Sequence, residues 1–173
     1  MKYVNINDIV KEHKCHEGLD KEFDSLILDE DKLLDALDPI IKNQQNDPNN
    51  NGIVLDYHSI DFFHEDWMDL IIVLRSNTEI LYDRLQQRGY NSKKISENME
   101  CEIMQVVLDE TKQAFGGASS DDSGNNGIVI VELMSNTIDD LESNVNRIIT
   151  WIDQWKIDNG YLGRGNQTKR TRT

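Results

Sequence analysis

Short apolar runs and stretches of helical apolar spacing take turns along this chain. The runs at Lys2–Ile6, Ile53–Tyr57, Leu70–Leu74 and Ile128–Leu133 read as strands. The first leads into a helix that Asn7 or Asp8 caps. Asp29–Ile41 places Leu33, Leu34, Leu37 and Ile40 or Ile41 on one helical face, with Pro39 limiting its far end. Asn77–Arg88 carries a stripe that includes Ile80, Leu81 and Leu85, and a further helix from about Ser96 to Phe115 runs through Met99, Ile103, Val106 and Val107. A closing helix starts near Thr137, with Asp140 completing a capping pair, and is expected to bury Leu141, Val145, Ile148, Ile152 and Trp155. Strands alternating with helices predict an α/β fold with a mainly parallel sheet. Neither Ile53–Tyr57 nor Leu70–Leu74 alternates cleanly, as expected of strands with helices on both faces.

Composition bounds this picture without changing it. A length of 173 residues, with 38% hydrophobic and 29% charged residues, suits one globular domain with a real core. Two segments, 43–51 and 116–127, are rich in Asn, Gly, Ser and Asp. Each falls between a helix and the next strand, so each reads as an expanded surface loop. No apolar run approaches the ~18–20 residues that span a bilayer, and MKYVNINDIV lacks the apolar stretch of a secretory signal. Cys15 and Cys101 have no framework spacing, which suggests a reducing, intracellular setting.

Charge separates the body from the tail. The formal net charge is −14, yet residues 159–173 hold Arg164, Lys169, Arg170 and Arg172 and end the chain on a basic note. The other 14 basic residues against 32 acidic ones leave the body at −18. Such a body repels nucleic acid and argues against strong direct binding of it. The tail reads as a disordered, solubilising end, with contact to RNA or a nuclear address as the rival reading.

The densest chemistry sits at Asp56-Tyr57-His58, where the strand 53–57 ends. A carboxylate there can hold a magnesium-bound water, and an imidazole two places on can position or deprotonate a nucleophile. Spacing alone equally allows a polar strand end that caps the next loop. Arg75 can clamp a phosphate or pair with a carboxylate. Arg88 to Lys94 gathers three cations around Gly89, suited to a lid closing on phosphates or to a basic helix C-terminus. His13, Cys15 and His16 lack a fourth zinc ligand at proper spacing. His64-Glu65-Asp66 reads as a loop or cap, and the three tryptophans as packing.

Three stretches together resemble the adenylate kinase isoenzyme 6 family: the run 2–37 with LDEDKLLD, the DYH strand end, and RGY-x3-KI-x2-N-x3-EI within 73–107. The ending at 131–155 is similar too, so the likeness covers about residues 2 to 157 apart from the two loops. It implies a nucleoside monophosphate (NMP) kinase-like domain over 1–158: a P-loop-type parallel sheet with helices on both faces. Residues 5–28 are then the NMP-binding region and 87–97 the lid. Asp56 and His58 become the catalytic pair, with Asp56 on magnesium through water. Arg88, Lys94, Ser135, Asn136 and Thr137 fall on the ATP side, and Asn5, Asp8 and Arg75 on the NMP side. The implied reaction is ATP plus AMP to two ADP, with ATPase activity; ATP and Mg2+ are the implied cofactors and AMP or another NMP the acceptor. The family also implies interaction with coilin, a basic small-subunit ribosomal protein and the pre-ribosome as partners, small-subunit (18S rRNA) maturation as the setting, and nucleus and cytoplasm as the location.

One departure stands out. Members of this family open with a strand, a glycine-rich phosphate loop and a helix, and no GK[ST] occurs in this chain. The strand that would carry the loop is central, between the strands ending at Tyr57 and Leu74. The expectation is therefore a gap in the sheet, and a chain that is a truncated gene model or a fragment of a longer protein. The alternative function is a non-catalytic acidic protein that docks a basic ribosomal protein.

Overall fold

In the computed structural model, residues 1–23, 25–46, 52–116 and 127–160 are described. Most of the second low-complexity segment, residues 47–51 of the first and residues 161–173 of the tail lie outside them.

Strand β1 (Lys2–Asn5) is followed at once by helix α1 (Ile6–Glu12). The cap is Asn5, whose side chain accepts from the Asn7 amide, so the helix opens earlier than Asn7 or Asp8 as cap would have it. An antiparallel hairpin of β2 (His16–Asp20) and β3 (Ser25–Leu28) comes next, then α2 (Glu30–Gln45) capped by Asp29. Pro39 lies inside α2 and does not end it. Proline deletes one ladder hydrogen bond, but Leu37 and Ile41 on either side are buried, each stabilising by about 1.5–3 kcal/mol. Residues 43–45, read as loop, are accordingly helical.

Strand β4 (Ile53–Asp56) pairs in parallel with β1, Asn5 opposite Asp56. After a short 3-10 turn at Glu65–Trp67 comes β5 (Leu70–Arg75). Helices α3 (Thr78–Gln87), α4 (Ser92–Ile103) and α5 (Val106–Phe115) lead to β6 (Val129–Met134), which pairs in parallel with β5. The helix expected over 96–115 is thus two helices. Gln105 between them adopts left-handed geometry at φ 58°, which breaks the ladder. Helix α6 (Ile138–Asp158) closes the described chain behind the Thr137–Asp140 capping box.

Both parallel pairs share one core, built around Val4, Leu33, Leu37, Ile71, Val73 and Ile128. Among the described residues the two parallel pairs are separate two-stranded sheets, and no ladder joins β4 to β5. Apolar residues are open to solvent on both strands: Val54 on β4 is 42% exposed and Leu74 on β5 is 58% exposed. Helix α6 departs furthest from expectation. Leu141 and Val145 are exposed, Ile148, Ile152 and Trp155 are only half-buried, and Asn144 is its buried residue. The physical reason is that, among the described residues, no helix or strand packs extensively against it.

Candidate active site

The first group assembles where the two parallel strands β1 and β4 end. Side chains alternate along a strand, so Tyr3 and Asn5 share the face opposite buried Val4. In-register pairing sets Asn5 beside Asp56. Tyr3 Oη donates to Asp56 Oδ2 at 2.6 Å, and this bond is the main reason the phenol titrates above its ordinary value. Asn5 Oδ1 accepts from the Asn7 amide at 2.9 Å, while Asn5 Nδ2 leans on Tyr3 Oη at 3.4 Å. Asp8 follows in the first turn of α1, exposed.

Two residues beyond Asp56, the His58 ring packs on Tyr57 with centroids 4.2 Å apart. Loss of hydration, and then the positive charge of Lys94, hold its imidazole below the usual histidine range. The ring is therefore neutral near pH 7 and able to accept a proton. Lys94 comes from the first turn of α4, capped by Asn91, and its Nζ lies 4.6 Å from the Tyr90 ring centroid. The neighbouring Lys93 pairs with Glu22 and sits 4.6 Å above the Phe23 ring. The hairpin turn in 5–28 and the start of α4 in 87–97 are thus in contact.

Arg88 caps α3 and is exposed. Gly89 follows at φ 74°, and its amide bonds to the Gln86 carbonyl, a left-handed helix stop that a side chain would strain.

A second group sits past the ends of β5 and β6. Arg75 donates from Nε to Glu102 Oε1 at 2.6 Å, from Nη1 to Glu132 Oε1 at 2.9 Å and from Nη2 to the Glu102 carbonyl at 3.0 Å. Of its two readings, carboxylate pairing is the arrangement present. An open cleft of about 570 Å³ lies alongside, lined by Arg75, Asn77, Glu102, Glu132 and Met134. Ser135, Asn136 and Thr137 form a tightly held loop. Arg84 donates to the carbonyls of Ser135 and Asn136, each at 2.7 Å, and Asn136 Oδ1 accepts from the Asn77 amide at 2.7 Å.

Among the described residues no group of three or more His, Cys, Asp or Glu could cage a metal ion, and His13, Cys15 and His16 form no such group. The oxygen chemistry of Asp56, exposed at its strand end, fits one water-mediated contact to a magnesium ion held otherwise by phosphates. Sequence reasoning missed Tyr3, Arg84, Glu102 and Glu132. Tyr3 was reachable, since it lies two residues before Asn5 on a strand and so shares its face. The ion pairs of Arg75 span 27 and 57 residues and leave no local signal.

Comparison with known proteins bears on this arrangement. Residues 1–105 match the family model described as AAA domain. The adenylate kinase isoenzyme 6 homolog of Dictyostelium discoideum is 41% identical over 155 residues, covering 90% of this chain and 79% of its own length. That of Schizosaccharomyces pombe is 37% identical, covering 88% of this chain and 78% of its own. That of Saccharomyces cerevisiae is 41% identical, covering 89% and 70%.

Proposed function

This chain belongs to the adenylate kinase isoenzyme 6 family, and from that premise we propose that it serves transfer of the γ-phosphoryl group of ATP to AMP, together with ATPase activity. The observation that carries the reading is Asp56 at the end of a parallel strand with His58 two residues on, the imidazole near enough to Lys94 to feel its charge. Ligands of such sheets bind beyond the carboxyl ends of the strands, where Asp56 and His58 stand.

Phosphoryl transfer asks the protein for positioning and for charge placed where it develops. Lys94 and Arg88 supply positive charge on the phosphate side. His58, neutral near pH 7, orients the attacking oxygen and takes up its proton when water is the nucleophile. Asp56 would hold one water of a magnesium ion bound with ATP, whose charge would neutralise the phosphates. The loop Ser135–Thr137, fixed by Arg84 and Asn77, borders the base. Asn5 and Asp8 lie toward the acceptor nucleotide; Arg75 shapes that side through Glu102 and Glu132 rather than by a free guanidinium.

The phosphates themselves need backbone amides that a glycine-rich loop supplies. The lack of a ladder between β4 and β5 among the described residues, with an exposed apolar residue on each strand, fits a parallel strand lying between them with such a loop at its end. This is the arrangement we propose for the active protein.

A second reading rests on charge. A body at −18 suits docking of a basic small-subunit ribosomal protein on a pre-ribosome, in nucleus and cytoplasm, without catalysis.

ADP formation from ATP and AMP decides between them. The 173-residue chain alone is expected to give no detectable ADP. Joined to a strand, glycine-rich loop and helix upstream of Met1, it should turn over. Asp56→Ala or His58→Ala should then lower kcat by about 100-fold or more, and Trp151→Ala far less. Turnover by the unextended chain would sink the need for the loop; no turnover by the extended one would favour the binding protein.

A further inference from the structure

We infer that Tyr3 is a positioning residue for Asp56, fixing the carboxylate in the one orientation that can take a magnesium-bound water. The inference rests on the reading of Asp56 given above and goes beyond it, because nothing in that reading involves Tyr3.

An exposed carboxylate at a strand end ordinarily samples several rotamers. Here one oxygen is taken. Tyr3 Oη donates to Oδ2 at 2.6 Å, in the short range of hydroxyl-to-carboxylate bonds, so Oδ1 is left pointing in one direction. Tyr3 is itself held, since its strand is locked to β4 in register and its hydroxyl receives the Asn5 amide at 3.4 Å. That amide cannot turn freely, because Asn5 Oδ1 caps α1. The chain Asn5, Tyr3, Asp56 therefore runs from the start of α1, on the acceptor side, to the carboxylate on the magnesium side. Tyr3 is 62% exposed and contributes little to the core. A residue so exposed, with its hydroxyl committed to a carboxylate, is better placed to orient that carboxylate than to stabilise the fold.

Tyr3→Phe removes one hydroxyl and keeps the ring, and an unchanged circular dichroism spectrum verifies that the fold survives. Two nuclear magnetic resonance measurements, made on the chain joined to the upstream strand, glycine-rich loop and helix, then read the role. Three-bond couplings to Asp56 Cγ report its χ1 rotamer, and the Asp56 carboxyl carbon reports Mg2+ added in the presence of ATP. The expected result for Tyr3→Phe is averaged couplings and a half-saturating Mg2+ concentration raised about tenfold. An unchanged Mg2+ response overturns the proposal, whether or not the couplings average, because Tyr3 is then a surface hydrogen bond only. Asp56→Asn, followed by the Ile53–Tyr57 amides, separates the two ideas. If those amides respond to Mg2+ as in the unsubstituted chain, Asp56 is not the magnesium-side carboxylate, and the proposal falls with that reading.

Discussion

Arg75 on β5 and Glu102 near the end of α4 are joined twice, Nε to Oε1 at 2.6 Å and Nη2 to the backbone carbonyl at 3.0 Å. Their side chains are only 14% and 18% exposed, so water screens this pair little. The contact ties the sheet end to the break between α4 and α5, and it consumes the planar fork of the guanidinium.

Arg75→Met is therefore expected to destabilise the chain by about 1–3 kcal/mol, since it strands a half-buried carboxylate. Arg75→Lys should recover part of this, keeping the charge but not the fork. Urea unfolding midpoints measure both. An unshifted midpoint in Arg75→Met would mean that the arginine acts on a ligand and not on the fold.

Arg84 does for the loop after β6 what Arg75 does for the break after α4. Its two donors end the otherwise open carbonyls of Ser135 and Asn136. Arg84→Ala should speed amide hydrogen exchange at residues 135–137 by about tenfold or more, the equivalent of one or two lost charged hydrogen bonds. Exchange in β1 and β4 should not change. Uniform acceleration would show instead that Arg84 supports the whole fold.

The parallel α/β plan, its four parallel strands and the helix starts at Asp29, Asn77 and Thr137 were legible because their signals are local: apolar period, a capping pair at Thr137 and Asp140, a glycine after Arg88. Local signals also misled. Pro39 reads as a helix stop, yet Leu37 and Ile41 are held by contacts remote in sequence. Gln105 gives no warning of a left-handed turn, a conformation more usual for glycine or asparagine. The hairpin 16–28 was missed because His16–Asp20 has little apolar alternation. At the site, Asp56 and His58 were legible from their place at a strand end, whereas Tyr3 beside Asp56 needed the register of β1 on β4. The helical stripe of α6 was read correctly as apolar but wrongly as buried, since burial depends on what lies opposite.

Asp140 gives a pH dependence with a definite sign. Bonds from the backbone amides of Thr137 and Asn136 hold its carboxyl below the usual carboxylate range. A carboxylate with a depressed folded pKa adds stability that is present above the unfolded value, about 3.9, and is lost as pH falls through the folded one. The start of α6 should therefore be intact at neutral pH and fray in acid below that range. Hα chemical shifts of residues 138–141 would follow it. Asp140→Asn should abolish the pH response, and persistence of that response would assign it to another group.

The outward stripe of α6 allows a sharper comparison. Leu141 and Val145 are 54% and 44% exposed, whereas Asn144 between them is 8% exposed and donates to the Met134 carbonyl at 2.7 Å. Truncating an exposed apolar residue removes little buried surface, so Leu141→Ser and Val145→Ser should each move stability by no more than about 0.5 kcal/mol. Asn144→Ala, against the usual expectation for a polar-to-apolar helix substitution, should cost about 0.5–1.5 kcal/mol by removing the part-buried hydrogen bond to the Met134 carbonyl. In a protein extended upstream by a strand, loop and helix, the order should reverse for Leu141. An added helix lying on the stripe would bury it, and Leu141→Ser would then cost about 2 kcal/mol or more. Urea midpoints of the same variants in both proteins test this. A large loss for Leu141→Ser already in the 173-residue chain would mean that the stripe is covered there. The lack of a ladder between β4 and β5 would then lose its strongest companion evidence for an element that packs across both.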